Sequence, residues 1–75
     1  MEKVSFYKSK VNIREVPLEV YIKTTSNSKY ITTVWINKQQ ACLRREVSSD
    51  YYLRFAEVIQ EEDFNKILNQ VIAMQ

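Results

Sequence analysis

The sequence predicts an α+β domain, a four- to five-stranded antiparallel meander sheet with one C-terminal amphipathic helix packed on one face. Three observations carry this reading. Apolar residues alternate with period two in several short runs before residue 50. Short polar connections separate those runs, which favours neighbouring antiparallel strands. Residues 61–74 then change to a helical period behind an acidic start. With 75 residues, the chain 1–75 is one small domain.

Lys3–Lys8 alternates, with Val4 and Phe6 on one side and Ser5 and Tyr7 on the other. Val11 and Ile13 share one parity; Val16, Leu18, Val20 and Ile22 share the opposite one. The change of phase near Arg14-Glu15 predicts a turn or bulge there. Pro17 cannot donate a ladder hydrogen bond, so it should begin a strand or lie on an edge. From Leu18, the residues Leu18, Val20 and Ile22 are expected to face the helix, and Glu19, Tyr21 and Lys23 to face away. Thr24–Lys29 is the clearest turn, and Asn27 is its candidate for a left-handed backbone.

Tyr30–Asn37 is rich in β-branched and aromatic residues and reads as the central strand. It is apolar on both sides: Ile31 and Trp35 share one parity, Val34 and Ile36 the other. The face of Trp35 therefore stays open. Ala41–Val47 follows a polar turn, with Ala41, Leu43 and Val47 inward, Cys42, Arg44 and Glu46 outward, and Arg45 near a sheet margin. Tyr51–Ile59 fits a strand, with Tyr51, Leu53, Phe55 and Ile59 on one face. It also fits a helix capped by Ser49, with Tyr52, Phe55, Ala56 and Ile59 as its stripe. In the last segment Phe64, Ile67, Leu68, Val71 and Ile72 form the amphipathic stripe. Glu61, Glu62 and Asp63 complement the positive end of the helix dipole, which offsets the poor capping residue Gln60. The helix should bury Phe64, Ile67, Leu68 and Val71 against Val4, Phe6, Leu18, Val20, Ile22, Leu43 and Phe55.

The composition excludes several classes of function. There is no histidine, no glycine and one cysteine, Cys42. No intramolecular disulfide can form, and the usual Cys/His zinc sites cannot be built. Phosphate-cradling loops need glycine for close backbone approach. A Ser-His or Cys-His nucleophile is impossible without histidine. Glu61-Glu62-Asp63 reads as a helix-start feature, since general acid–base work needs a perturbed carboxyl in a cleft. Cys42 beside Arg44-Arg45 has a reactive-thiol reading, although a free cysteine is more often a small apolar residue. We expect no catalytic residue, no metal and no cofactor, so not an enzyme. No apolar run approaches the about 20 residues that span a membrane, and Met1-Glu2-Lys3-Val4 lacks a signal-peptide layout. A cytoplasmic protein is the expectation.

Charge is unevenly divided. Residues 1–54 hold ten Lys/Arg and five Asp/Glu, whereas residues 55–75 hold one Lys and four Asp/Glu. A basic sheet with an acidic helix would attract nucleic acid or an acidic protein surface, or else its cations only solvate strand faces. With the helix on one face, the strand parities send Tyr21, Lys23, Arg44, Tyr52 and Arg54 to the other, joined by Trp35 if Val34 and Ile36 point inward. Such a mixture of Trp, Tyr and Arg makes protein hot spots and also stacks nucleobases. These six residues are the candidate partner-binding set.

The order of strands followed by one helix resembles the single-stranded-DNA-binding transcriptional coactivators of the four-strands-plus-helix type. It equally resembles small phage-encoded inhibitors such as anti-CRISPR proteins. Both resemblances are of element order alone, so no residue role follows from them. The lack of glycine beside abundant Lys, Ile, Asn and Tyr suits an AT-rich bacterial or phage genome. Two functions follow as expectations. The first is an inhibitor or adaptor working through a protein–protein surface, with a homodimer as a further arrangement. The alternative is a single-stranded nucleic-acid binder using the basic, aromatic face.

Overall fold

The computed structural model describes residues 3–37, 40–47, 53, 54 and 56–74. Five strands form a single antiparallel sheet: β1 (Val4–Ile13), β2 (Val16–Thr25), β3 (Tyr30–Ile36), β4 (Ala41–Val47) and β5 (Glu57–Val58). A helix, α1 (Glu61–Met74), follows and packs against the sheet. The spatial order is β4-β3-β2-β1-β5. The α+β class, the antiparallel sheet and the C-terminal helix are thus as the sequence predicts. The first four strands are a meander, but the fifth lies beside β1 and not beyond β4. Among the described residues, no helix is long and apolar enough to cross a membrane.

The β1–β2 hairpin is the longest element pair, with unbroken register from Val4↔Thr25 to Ile13↔Val16. Its two-residue turn is Arg14-Glu15, at the phase change read from the sequence. Both residues have left-handed φ, 52° and 67°. That geometry matches the twist of the flanking strands. In a chain without glycine it is adopted by residues that carry a Cβ, at about 1–2 kcal/mol each. Pro17 lies near the start of β2, before β3 begins to pair at Glu19↔Ile36, so its missing donor interrupts no ladder.

The β2–β3 turn is held differently. Ser26 N donates to Lys3 O, and Lys3 N donates to Ser26 Oγ, each at 2.9 Å. Ser28 N donates to Thr25 O at 3.1 Å, and Tyr30 N to Ser28 Oγ at 3.1 Å. With its donors satisfied by serines and carbonyls, this turn keeps negative φ. Asn27 is not left-handed, contrary to the sequence expectation.

The register sorts residues by face. Phe6 pairs with Lys23, Lys8 with Tyr21 and Tyr21 with Val34, so these share the helix side. There Phe6, Tyr21, Val34, Phe64 and Val71 form one buried cluster, joined by Ile36, Ala41, Ile59, Ile67 and Leu68. The Phe6 and Phe64 rings lie 5.3 Å apart, tilted by 46°. The Phe64, Ile67, Leu68 and Val71 stripe thus docks as predicted. Its partners differ from those expected. Val20 and Ile22 belong to a second cluster with Ile31 on the opposite face, where Tyr7, Val11, Trp35 and Leu53 pack against them. Leu18 pairs with Val11 on that same face. Val4 and Leu43 are on the helix side but exposed, and Phe55 lies outside the described residues.

The physical reason is the pattern of β1. One unbroken strand carries Phe6 at an even position and Val11 at an odd one, so it is apolar on both faces. The sheet accordingly carries a buried cluster on each face. β4 and β5 lie at opposite edges of the sheet, and Leu53, between them in sequence, packs on the face away from α1. Of the segment 51–59, read as a strand or a helix, only Glu57–Val58 pairs in the sheet among the described residues.

Candidate interaction surface

Among the described residues, β4 ends the sheet and pairs only with β3. Asn37 N donates to Gln40 O at 2.9 Å, which makes 37 and 40 a hydrogen-bonded pair. Such pairs alternate with non-hydrogen-bonded ones along an antiparallel ladder. Trp35↔Cys42, Thr33↔Arg44 and Ile31↔Glu46 are therefore the hydrogen-bonded pairs of this register. The backbone N–H and C=O groups of Cys42, Arg44 and Glu46 point to β3. Those of Leu43, Arg45 and Val47 point away from the sheet. No proline and no bulge blunts this edge.

Its side chains are open as well. Cys42, Leu43, Arg44, Arg45 and Val47 are all exposed. Leu43 and Val47 are apolar yet 43% and 62% exposed, and they flank Arg45 on the helix side of the strand. The Arg45 guanidinium lies over the Tyr30 ring at 5.2 Å. On the other side, Arg44 Nε is 3.9 Å from Glu46 Oε1. Glu46 Oε2 accepts a long 3.4 Å contact from the Thr33 hydroxyl, which itself accepts a 2.9 Å bond from Trp35 Nε1. Trp35, Thr33, Glu46 and Arg44 thereby form one chain of contacts across β3 and β4.

The six sequence-predicted residues do not share one face. Trp35 and Arg44 lie together on the side away from α1. Tyr21 and Lys23 lie on the helix side, and Tyr21 is only 6% exposed within the core. The parity relation between Tyr21 and Ile22 was read correctly, but the helix covers the Tyr21 side. Arg54 is exposed, and Tyr52 lies outside the described residues. Among the described residues no aromatic platform is assembled: the Tyr21 phenol is buried, and Trp35 is half-buried with its indole N–H engaged.

The Tyr21 hydroxyl belongs to a polar cluster on the helix side. It donates to Glu19 Oε2 at 2.9 Å, and Lys8 Nζ sits 4.0 Å from that oxygen and 5.6 Å from the Tyr21 ring centre. Burial, then the hydrogen bond to Glu19, pushes the phenol above its usual range. Negative charge on Tyr21, then on Glu19, raises the Lys8 ammonium. A groove of about 960 Å³ opens nearby, with Lys10, Pro17, Glu19, Ile36, Ile67 and Gln70 among its lining. It mixes the carboxylates of Glu15 and Glu19, the Lys10 ammonium and the amides of Asn12, Asn37 and Gln70 with apolar groups.

The sequence reading places Leu43 and Val47 inward although both are exposed, and it leaves the outward Glu46 out of the candidate set. The available signal was the meander itself: the last strand of a meander is an edge, whatever its inward parity. Compared with known proteins, the chain matches no family model, no curated protein and no solved structure.

Proposed function

We propose that this is a small non-enzymatic binding protein, an inhibitor or adaptor that acts by accepting a strand of a partner protein along β4. The observation that carries this reading is the outer side of β4. Outward-pointing backbone groups at Leu43, Arg45 and Val47, which pair with no strand among the described residues, coincide there with exposed Leu43 and Val47 side chains and with Arg44 and Arg45. Strand addition draws its affinity from main-chain hydrogen bonds and its specificity from alternate side chains. The exposed free Cys42 suits a reducing compartment such as the cytoplasm.

A nucleic-acid reading needs rings and cations together on an open sheet face, and burial of Tyr21 removes the centre of that set. The test uses the chain as bait with nuclease-treated host extract, followed by hydrogen exchange on the purified complex. The captured protein should slow exchange at the amides of Leu43, Arg45 and Val47. Arg45→Pro deletes an outward N–H without breaking a bond to β3, so it should abolish capture. Capture that disappears with nuclease, or that survives Arg45→Pro unchanged, overturns the reading.

A further inference from the structure

We infer that, with no other partner bound, the β4 edge is closed by β4 of a second copy of this chain, in an antiparallel register centred on Arg45. The inference rests on the reading of β4 as a strand acceptor and names what that edge accepts in the free protein.

Symmetry and hydrogen-bond parity restrict the registers. In a two-fold antiparallel pair, residues that face each other lie on the same side of the joined sheet. The outward-pointing residues, Leu43, Arg45 and Val47, must occupy the hydrogen-bonded positions. A two-fold axis at Arg44 sets that guanidinium against its own copy and leaves Glu46 opposite Cys42. An axis at Glu46 sets carboxylate against carboxylate. An axis at Arg45 is complementary on both sides of the sheet. Leu43 then faces Val47 of the second copy, and Val47 faces Leu43, so the two exposed apolar side chains of the edge cover each other.

On the opposite side, Arg44 faces Glu46 of the second copy and Glu46 faces Arg44. These are non-hydrogen-bonded positions, where side chains approach more closely. Opposite charges there favour pairing and like charges oppose it. Arg44 and Glu46 already lie on this side, 3.9 Å apart within one chain, so the same groups can pair across the axis. The cost is Arg45 against its own copy. Each Arg45 guanidinium lies over the Tyr30 ring of its own chain, 5.2 Å from the centre, which holds that charge back over its own sheet.

The experiment is sedimentation velocity on the full chain over a concentration series, with a charge-reversal pair. The wild-type chain should shift from monomer to dimer as concentration rises. Arg44→Glu sets two carboxylates opposite each other, and Glu46→Arg sets two guanidiniums opposite each other. Each variant alone should stay monomeric, and their equimolar mixture should dimerise. Recovery in the mixture also shows that both variants are folded. Spin labels on Cys42 should lie about 20 Å apart in the dimer, against about 14 Å for an axis at Arg44. A wild-type chain that stays monomeric, variants that dimerise alone as the wild type does, or the shorter label distance would overturn the inference. Monomeric wild type with β4 amides still protected by a captured protein would end self-pairing and leave the strand-acceptor reading standing.

Discussion

The Tyr21 hydroxyl donates to Glu19 Oε2, the same oxygen that sits 4.0 Å from Lys8 Nζ. Burial raises the phenol above its usual 10.0, and Tyr21 followed by Glu19 raises Lys8 above 10.5. Both groups have a higher pKa folded than unfolded. Each therefore contributes stability that is fully present below its unfolded pKa and is lost as pH rises through its folded pKa. The urea midpoint should hold steady near neutrality and fall above about pH 10. Tyr21→Phe should remove the phenol's share of that alkaline loss and, because Tyr21 is the largest cause of the Lys8 shift, cut the Lys8 share back to what Glu19 supports. A wild-type midpoint that stays flat well into the alkaline range would show that the cluster is not coupled to folding.

The docking of α1 rests on few side chains. Phe64 and Val71 are fully buried, while Ile72 on the same helix is more than half exposed. Phe64→Ala should cost about 3–5 kcal/mol and Leu68→Ala about 2–5 kcal/mol by chemical denaturation. Ile72→Ala should change stability by about 0.5 kcal/mol or less. Equal losses at Phe64 and Ile72 would mean that the helix is rotated about its axis.

Much of this fold is legible in the sequence because the relevant signals are local. The stripe from Phe64 to Val71, the turn at Arg14-Glu15 and the bounds of Ala41–Val47 each depend on neighbours within a few residues. The choice of sheet face is not local. Alternation in β2 separates Tyr21 from Ile22, but only the pairing of Phe6 with Lys23 decides which of them α1 covers. The clues were residues apolar on both parities: Phe6 and Val11 in β1, and Val34 and Trp35 in β3. A sheet buried on both faces produces that pattern, and a sheet open on one face does not. The candidate surface was legible in the same proportion. Trp35 and Arg44 share a face by parity alone, whereas the free edge of β4 follows from the order of strands.

The second face makes its own prediction. Ile22 and Val20 are fully buried away from the helix, whereas Lys23 beside them is exposed. Ile22→Ala should cost about 2–5 kcal/mol, and Lys23→Ala about 0.5 kcal/mol or less. Leu53→Ala should also destabilise the protein, by less than Ile22→Ala, because Leu53 is only half-buried against the same cluster. Indifference of stability to both Ile22 and Leu53 would mean that this face carries no core.

The hairpin turn is the place where stability can be raised. Arg14 and Glu15 both hold left-handed φ with a Cβ attached, a conformation that asparagine tolerates better and glycine adopts without penalty. Their side chains are exposed, and among the described residues no buried contact depends on them. Asn-Gly is the residue pair this two-residue turn favours most. Replacing Arg14→Asn and Glu15→Gly together should therefore raise the unfolding free energy by about 1–2 kcal/mol, with part of the gain offset by the added backbone freedom of glycine in the unfolded chain. The urea midpoint should rise while the slope of the transition stays the same, since the buried surface is unchanged. Glu15→Pro is the opposing control. Proline fixes φ near −65°, so it cannot adopt the φ of 67° at this position. That variant should lose stability, and a gain from it would show that the hairpin reverses by a different turn.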